Sequence, residues 1–507
     1  MLLLRVFSIL FLLASTTGAQ GQMRAMNWML GGNLEEKRIM LSFQTDTPQV
    51  VVLPDEPAWF AGEPIATLSD SNGNLLFYSN NAEIFNANHQ LLFNSDGINN
   101  PVGRSSITNA TVILPWPGDS TERFYCLFTM QENGAGDTTR STLRYSLIDR
   151  AMDGGLGGIV DSVKGLLVWD FKVQEKLGVI RHANGRDWWI VVRKGFQSDD
   201  LLRIESAEFA TILLTPDGFQ DSRITESDLF NPSEWGELVI SKDGSLMAEA
   251  FSGIPPFTDT HVALYEFDRC SGTITFLDSS NVNLPGVKAI YGLAFDSTAK
   301  RLYASTCEYR MRLYQFSIGE GKLDSVVEIF RAGSLNMFSQ LELGPDGKIY
   351  GTMYGNSSIH PFNQHLAVIH HPERYGSACA FDTFGVGLGV NLVFSGLPHT
   401  PNYDLGALAG SGCDTLGGAT AIDESPPAIE RLRIYPNPSS AWLTVEGLPA
   451  SSTLSVHDAL GRQVWSASST TSPMRIPTTA WPNGLYFLHS EYEAGYQEVH
   501  RIAVQHR

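Results

Sequence analysis

The sequence predicts an all-β protein, a β-propeller of about seven blades followed by a small C-terminal β-sandwich. Three observations carry this. A strand–turn–strand unit recurs through the body at a spacing of about 50 residues. Asn-Gly and Asp-Gly turns lie between alternating apolar runs, which is the strongest short-range signal for a β-hairpin. From Ile429 to Arg507 the chain breaks into short alternating segments separated by Pro, Gly and Asn clusters.

The recurring unit reads as follows. Ile65–Leu68 passes through Asp70-Ser71-Asn72-Gly73-Asn74 into Leu75–Tyr78, and Leu177–Ile180 passes through His182–Arg186 into Trp188–Val191. Glu237–Ile240 turns at Lys242-Asp243-Gly244 into Leu246–Ala248, and Tyr291–Phe295 turns at Asp296–Lys300 into Leu302–Ala304. Gln340–Leu343 turns at Pro345-Asp346-Gly347 into Ile349–Gly351. Taking the turns at Gly73, Gly185, Gly244, Ala299 and Gly347, the gaps are 112, 59, 55 and 48 residues. The first is about twice the others, so a diverged copy belongs between, and Phe124–Thr129 followed by Leu143–Leu147 fits there. Third strands such as Val262–Phe267 and Met311–Phe316 follow several copies, with fourth strands such as Thr273–Phe276 and Val326–Ile329. A four-stranded blade buries neither face alone, so repeated blades must stack and close. Six copies plus Val50–Leu53 and Leu392–Phe394 left at the ends imply seven blades, the two ends sharing one.

In the terminal segment, Leu432-Arg433-Ile434-Tyr435-Pro436-Asn437-Pro438 opens a run of half-buried strands, with turn residues Asp458, Gly461, Arg462, Asn483 and Gly484 between them. Tyr435-Pro436-Asn437-Pro438, then Asp458-x-x-Gly461-Arg462, then Asn483-Gly484-x-Tyr486, ending flush with the chain, resembles the C-terminal sorting domain of type IX secretion substrates. That resemblance implies that residues 429–507 are a secretion signal recognised by export machinery. The pairs Leu293–Asp296 and Arg301–Ala304 resemble blades of the NHL and YVTN type. Ser69–Ser79, Gly103–Ser106, Gly154–Gly157 and Gly396–His399 resemble a propeller-like family of exported Bacteroidetes-type proteins with this tail. The family resemblance implies a fold and an address but no reaction.

The other end agrees with export. Arg5, the apolar run Val6–Ala14 and the small residues Thr17-Gly18-Ala19 read as a secretory signal peptide over residues 1–19. Residues 20–410 are then the propeller, 411–428 a Gly/Ser/Thr/Pro linker and 429–507 the sorting domain. No later stretch has the roughly 18 apolar residues of a transmembrane helix. The expected location is the medium or the cell surface, reached through the periplasm and across the outer membrane.

The net charge of −19 is unevenly placed. Residues 429–507 hold six Lys/Arg and six Asp/Glu and the signal adds one Arg, which leaves about −20 on residues 20–428. Such a body disfavours nucleic acid and anionic polysaccharide, since phosphate binding needs clustered Lys and Arg, and no nucleic-acid partner is expected. The five cysteines are too scattered for a disulfide scaffold or a metal box. Buried thiols are expected, with Cys379–Cys413 the suggested bridge near the closing end.

Chemistry is sparse at the level of local motifs. There is no G-x-S-x-G elbow, H-E-x-x-H helix or Walker loop. His360, His365, His370 and His371 are clustered, but a strand would point His365 and His370 to opposite faces. Asp70–Asn74 begins like a calcium loop and lacks the Gly and Glu that an EF-hand needs at its sixth and twelfth positions. It reads as a turn, so no cofactor is expected and Ca²⁺ is the one metal with any claim. Arg104, Arg181 and Arg310 form a nominal anion-binding trio. Trp188-Trp189 are adjacent on a strand, so at most one is presented for stacking, and core between blades is the default. Connections after the second strand and into the first share one face around the channel mouth. This places Trp235, Glu308, Tyr309, Arg310, Tyr354 and His360 on a common rim, and loops on a rigid scaffold are where ligands bind. The favoured expectation is a non-catalytic exported propeller that binds an extracellular protein or glycan there. The alternative is a propeller enzyme of lactonase, lyase or glycosidase type, its residues gathered from distant blades.

Overall fold

The computed structural model describes residues 23–506 except 33–37, 55–58, 60, 100–107, 132–140, 196–207, 221, 228, 230–235, 252–259, 281–288, 308–309, 335, 356–360, 390–392, 394–395, 415–432, 447–451, 459–461, 470–472 and 492–496. The chain divides into two compact units, residues 1–418 and 419–507. Described helix is limited to short 3₁₀ turns such as Asp161–Val163.

Among the described residues, the first unit is a ring of seven antiparallel blades, each taken from a consecutive stretch of chain, the last two joined in one sheet. Blade 1 holds Asn27–Met29, Ile39–Ser42 and Gln49–Val52; blade 2 holds Ala66–Ser69, Leu75–Ser79 and Ile84–Asn86. Blade 3 runs Thr111–Pro115, Phe124–Gln131 and Thr142–Asp149, with Gly158–Ile159 and Leu166–Leu167 both paired to its third strand. Blade 4 runs Val173–Arg181, Trp188–Lys194 and Glu208–Thr215, with Arg223–Glu226 outside. Blade 5 is Leu238–Ile240, Leu246–Phe251, His261–Phe267 and Ile274–Ser280. Blade 6 is Ile290–Phe295, Arg301–Thr306, Arg310–Gly319 and Lys322–Ser334, and blade 7 is Asn336–Leu343, Ile349–Gly355, His365–Ile369 and Phe381–Gly387. A single parallel pair, Arg310 with Asn336, bridges the last two.

Apolar residues lie between sheets rather than under one of them. Leu68, Val112, Phe128, Leu177 and Ile190 join blades 2, 3 and 4. Val191, Phe209, Leu238 and Tyr265 join blades 4 and 5; Leu264, Leu293 and Leu302 join 5 and 6; Leu313, Tyr303, Leu341 and Ile349 join 6 and 7. Trp28, Leu41, Tyr350 and Val368 close the circle between blades 7 and 1, and Met29, Ile65 and Tyr78 join 1 to 2. Trp188 enters the first of these clusters and Trp189 the next, one on each face of its strand.

The two ends of the ring do meet at blade 1. Asn27 Nδ2 donates to Ser69 Oγ (3.0 Å), Met29 N to Thr67 Oγ1 (3.0 Å), and Gly32 bridges Ala61 antiparallel. The first strand of blade 1 therefore runs opposite to the inner strand of blade 2. The inner position beside it is taken by the late segment: Gly31 N donates to Gly396 O (3.3 Å), and Pro398 bridges Ile65 in parallel. Of the expected Leu392–Phe394, Leu392 and Phe394 lie outside the described residues; at Gly396 a Cβ would stand 2.2 Å from Gly62 O. Only glycine allows the backbones so close.

Turns between first and second strands share one device. Gly73, Gly185, Gly244 and Gly347 have positive φ, as does Ala299 (φ 56°) where the repeat has lost its glycine. An Asp or Asn within each turn accepts backbone N–H. Asp70 Oδ1 takes Asn72 N and Asn74 N (2.9 and 2.8 Å), Asp296 Oδ1 takes Lys300 N and Arg301 N (both 2.8 Å), and Asn184 Oδ1 takes Arg186 N and Asp187 N (2.9 and 3.0 Å). Asp119 does the same in blade 3, bonding Phe124 N at 2.7 Å. This corrects the reading of the diverged copy: Phe124–Gln131 and Thr142–Asp149 are its second and third strands, and the first, Thr111–Pro115, precedes a longer turn without Asp-Gly.

The second unit packs a sheet of Arg433–Tyr435, Trp442–Glu446 and Met474–Pro477 against one of Gln463–Ser469, Ser452–Asp458, Gly484–Glu491 and Gln497–Val504. Leu443, Val445, Leu454, Val456, Ile476, Leu488 and Ile502 fill the space between. The motif residues are turn fasteners. Asn437 donates to Arg501 O (3.0 Å) and accepts from Ala503 N (2.7 Å), tying the Tyr435-Pro436-Asn437-Pro438 entry to the last strand. Asp458 receives Arg462 N at 3.0 Å and Arg462 Nε at 2.8 Å across the hairpin turn, Gly461 lying outside the described residues. Tyr486 Oη donates to Pro482 O (2.8 Å), and Asn483 Oδ1 accepts from His506 N (2.7 Å).

Candidate functional site

Of the expected rim residues, Trp235, Glu308, Tyr309 and His360 lie outside the described residues. Arg310 opens the third strand of blade 6 with its backbone paired to Ser334, and its side chain is outside the description. Tyr354 is half-buried in the second strand of blade 7, opposite Met337. The described geometry gathers polar chemistry elsewhere, along the axis.

The inner strands begin at one mouth of the ring, and several of them bring polar side chains to the axis. Tyr291 Oη, at the start of blade 6, donates to Glu63 Oε2 of blade 2 at 2.5 Å and accepts from Thr108 Oγ1 at 2.8 Å. Thr108 N donates to Glu175 Oε2 of blade 4 at 3.1 Å, and Leu293 N to Glu237 Oε2 of blade 5 at 2.6 Å. Gln340 and Glu342 project from the inner strand of blade 7 onto the late segment: Gln340 Oε1 accepts from Leu397 N (2.7 Å), and Glu342 Oε1 accepts from Thr400 Oγ1. Glu175 and Glu237 are almost fully buried and Glu63 and Glu342 half-buried, and burial penalises the charged form. Burial pushes the Glu237 carboxyl well above its usual range, with Glu342 and Glu63 adding repulsion. Burial likewise raises Glu342 to about 8, against the Thr400 hydrogen bonds, and lowers the His399 imidazole to about 4. Tyr291 is raised by burial and by Glu63 and Glu175. At neutral pH the axis therefore holds Glu342 protonated and His399 neutral, and burial biases Glu237 toward its uncharged form.

The late segment occupies the axis itself. His399 N donates to Ile65 O of blade 2 (2.9 Å), Asn402 Nδ2 to Lys242 O of blade 5 (2.6 Å) and Tyr403 Oη to Ile113 O of blade 3 (3.1 Å). Arg181 of blade 4 lies 3.8 Å over the Trp188 ring and reaches Tyr403 O at 3.5 Å; burial lowers its guanidinium to about 10. From Leu397 to Tyr403 the chain thus touches five blades on its way from one mouth to the other. Beside it a cavity of about 80 Å³ is lined by the inner strands of blades 4 to 7 and by Asn109, Glu342, His399 and Asn402. The far mouth is covered by residues 404–413, which end in a disulfide from Cys413 to Cys270. This overturns the suggested Cys379–Cys413 bridge. The segment crosses the axis instead of staying beside blade 7, so Cys413 emerges under blade 5, and Cys379 is a buried free thiol. The same bond shows that Ser411–Asp414, assigned to the linker by composition, is fastened to the ring; the remainder of the linker lies outside the described residues.

Sequence reasoning missed Glu63, Glu175, Glu237, Tyr291, Glu342 and His399 as a set. A local signal exists for two of them: Glu237 and Glu342 are carboxylates inside runs read as inner strands, where a charge is out of place. The Arg trio is not assembled, since Arg181 is stacked at the axis, Arg104 lies outside the described residues and the Arg310 side chain is not described. His365 Nδ1 meets Pro361 O at 2.8 Å, and His371 lies 3.8 Å from Glu373. Among the described residues, no group of three or more His, Cys, Asp or Glu side chains is placed to hold a metal ion. Asp70 spends its oxygens on its own turn, and those bonds, outweighing burial, hold its carboxyl below the usual range.

Comparison with known proteins bears on the two units differently. Residues 433–505 match the family described as the secretion system C-terminal sorting domain. Among solved structures, the chain is similar to a putative 6-phosphogluconolactonase from Bacteroides fragilis at 10% identity and a TM-score of 0.45, over 76% of this chain and 98% of that one. It is also similar to PorZ, a surface component of the type IX secretion system of Porphyromonas gingivalis, at 12% identity and a TM-score of 0.34, over 93% of this chain and 63% of that one. The β-propeller domain of Cps50 (Swd1) matches at 10% identity and a TM-score of 0.36, over 65% of this chain and 90% of that one. Likenesses this distant say nothing of activity. Comparison with curated proteins finds no match. Among the described residues no helix is long and apolar enough to cross a membrane, and the signal-peptide segment lies outside them. Residues 433–505 are a type IX secretion C-terminal sorting domain, which marks the protein that carries it for secretion or display at the cell surface.

Proposed function

We propose that the ring is an exported binding module that engages an extracellular protein or glycan through its loop faces, while the sorting domain engages the type IX machinery. The observation that carries this reading is the occupied axis. Leu397–Tyr403 fills the passage where a propeller enzyme would gather side chains from distant blades, and the acids there are spent as acceptors: Glu342 for that segment, Glu63 for Tyr291, and Glu175 and Glu237 for the backbone N–H groups of Thr108 and Leu293. What remains for a partner is the surface of the faces, where the sequence reading puts a rim of Trp235, Glu308, Tyr309, Arg310, Tyr354 and His360. The excess of negative charge on residues 20–428 favours a neutral or basic partner over an acidic one.

The test is a glycan and peptide array probed with residues 20–428, alongside a turnover panel of lactones and glycosides. Saturable binding lost on substitution of rim residues supports the reading. Turnover of a panel member that disappears in Glu342→Gln or Glu237→Gln replaces it with an enzyme. For the tail, grafting residues 429–507 onto a reporter is expected to export it in a host with the type IX system. Deleting them is expected to strand the folded ring in the periplasm.

A further inference from the structure

The late segment has two parts that are held very differently. Leu397–Tyr403 is buried within the ring: Tyr403 is 3% exposed, packs in the cluster joining blades 2 to 4 and is hydrogen-bonded to Ile113 O. Residues 404–413 form a strap across the far mouth under blades 4 and 5. The strap has few non-covalent holds. Leu408 N donates to Ala183 O (2.8 Å), Ala407 bridges Asn184, and Arg269 Nη2 donates to Gly406 O (2.6 Å). Gly406 to Gly410 are exposed, Leu408 at 45%, and Leu405 is the strap's partly buried apolar contact with the blade 4–5 cluster.

At its end Cys413 is bonded to Cys270, in the turn between the third and fourth strands of blade 5, 143 residues back in the chain. Both cysteines are only half-buried, so a dissolved thiol reaches the bond. Exposed disulfides are the labile ones, in contrast to those sealed in a core. Of the free thiols, Cys126 and Cys379 are buried and burial raises both, so neither competes as a thiolate, while Cys307 is half-buried just after the second strand of blade 6.

We propose that Cys270–Cys413 is a redox-operated latch: oxidised, it holds strap 404–413 over the far mouth, and reduced, it releases the strap while Leu397–Tyr403 stays threaded and the ring stays closed. The reductant is a small dithiol. One of its thiolates attacks a sulfur of the bridge and breaks the S–S bond, leaving a mixed disulfide and one cysteine thiolate that takes up a proton. The second thiol then displaces the other cysteine. The dithiol leaves as its cyclic disulfide, and Cys270 and Cys413 end as two thiols. Release uncovers the cavity edge at Asn402 and the turn residues His182–Asp187, which the strap overlies.

The experiment is hydrogen exchange by mass spectrometry on the full chain, folded oxidised and then treated with dithiothreitol at neutral pH. Peptides covering 404–413 are expected to exchange faster by about tenfold or more on reduction. Those covering 397–403 and the inner strands are expected to keep their protection. Cys413→Ser is expected to show the reduced pattern with no reductant present. Unchanged exchange in the strap after complete reduction, verified by thiol labelling, overturns the latch. So does equal loss of protection in strap, axis and inner strands, which makes the bond a global staple instead. Because reduction acts on protein already folded, a Cys413→Ser chain that fails to fold leaves the test intact.

Discussion

The ring and the C-terminal sandwich are both antiparallel β, yet they protect apolar surface in different ways. In the sandwich one cluster lies between two sheets, and each sheet turns its other face to water, as exposed Trp442 and Val464 show. In the ring both faces of a blade are core, because each packs on a neighbour, and the clusters form a continuous circle. A sandwich is therefore specified by its own short stretch of sequence. A blade makes sense only beside the next one, and the circle only when its ends meet at Gly31, Gly62 and Gly396. The buried charges follow the same division. The ring contains Glu249 (0% exposed) between Arg193 at 3.2 Å and Lys176 at 4.0 Å, across blades 4 and 5.

The largest test of this contrast removes the shared carboxylate. Glu249→Ala leaves Arg193 and Lys176 buried without it and is expected to cost the ring about 3–5 kcal/mol. Calorimetry on the full chain should show the ring transition lowered and the sandwich transition unmoved; a matching shift in both would mean the units are not independent. Leu454→Ala is the reverse experiment. It empties the centre of the sandwich cluster and should cost that unit roughly 2–5 kcal/mol, leaving the ring untouched. Smaller effects are expected at the turns. Asp296→Ala removes the acceptor of Lys300 N and Arg301 N and should lower ring stability by about 1–3 kcal/mol in urea melts. Asp458→Ala, in the exposed hairpin of the sandwich, should cost less than that.

The smallest prediction is a slope with pH. Glu342 is raised from 4.5 to about 8 in the folded ring, so its contribution is complete below about 4.5 and is lost as pH rises through about 8. His399 is lowered from 6.5 to about 4, so its contribution is complete above about 6.5 and is lost as pH falls through about 4. Between about 4.5 and 6.5 the two oppose each other, whereas from about 6.5 to 8 His399 no longer contributes to the slope and Glu342 acts alongside Glu237, which burial also raises. Ring stability should therefore decline on that alkaline limb, and Glu342→Gln should make it shallower. An identical decline in the variant would place the titrating group elsewhere. On the acid side the turn carboxylates add to the effect. Asp70 and Asp243 are lowered, the hydrogen bonds of their turns outweighing burial, and Asp268 is lowered first by the Ser271 hydroxyl. Their stabilisation is present above about 3.9 and is lost as pH falls through their depressed values.

What could be read in advance depended on how local the governing physics is. Hairpin turns were legible because left-handed backbone at Gly73, Gly185, Gly244 and Gly347 selects glycine, and a carbonyl-type side chain ahead of it caps the turn. Even Ala299 could be placed, since spacing and the opening Asp296 compensate for its Cβ. The blade 3 hairpin was misjudged by one strand because its turn is longer and opens on Asp119 without the usual Asp-Gly pair. The sorting domain was legible for the same reason as the turns: Asn437, Asp458 and Tyr486 each fasten a turn within one short segment.

By itself, then, the sequence determined the strands, their turns, the repeat and the address written in the tail, all of which depend on neighbours a few residues apart. Only the tertiary structure decided which way the late segment leaves blade 7. Running along the axis, it brings Glu342 to Thr400, Arg181 to Tyr403 and Cys413 to Cys270, partners 58, 222 and 143 residues apart. No local propensity encodes such pairs. They follow from closing a ring of seven twisted sheets, which leaves a passage narrow enough for a single chain segment to fill and dry enough to push Glu342 to about 8.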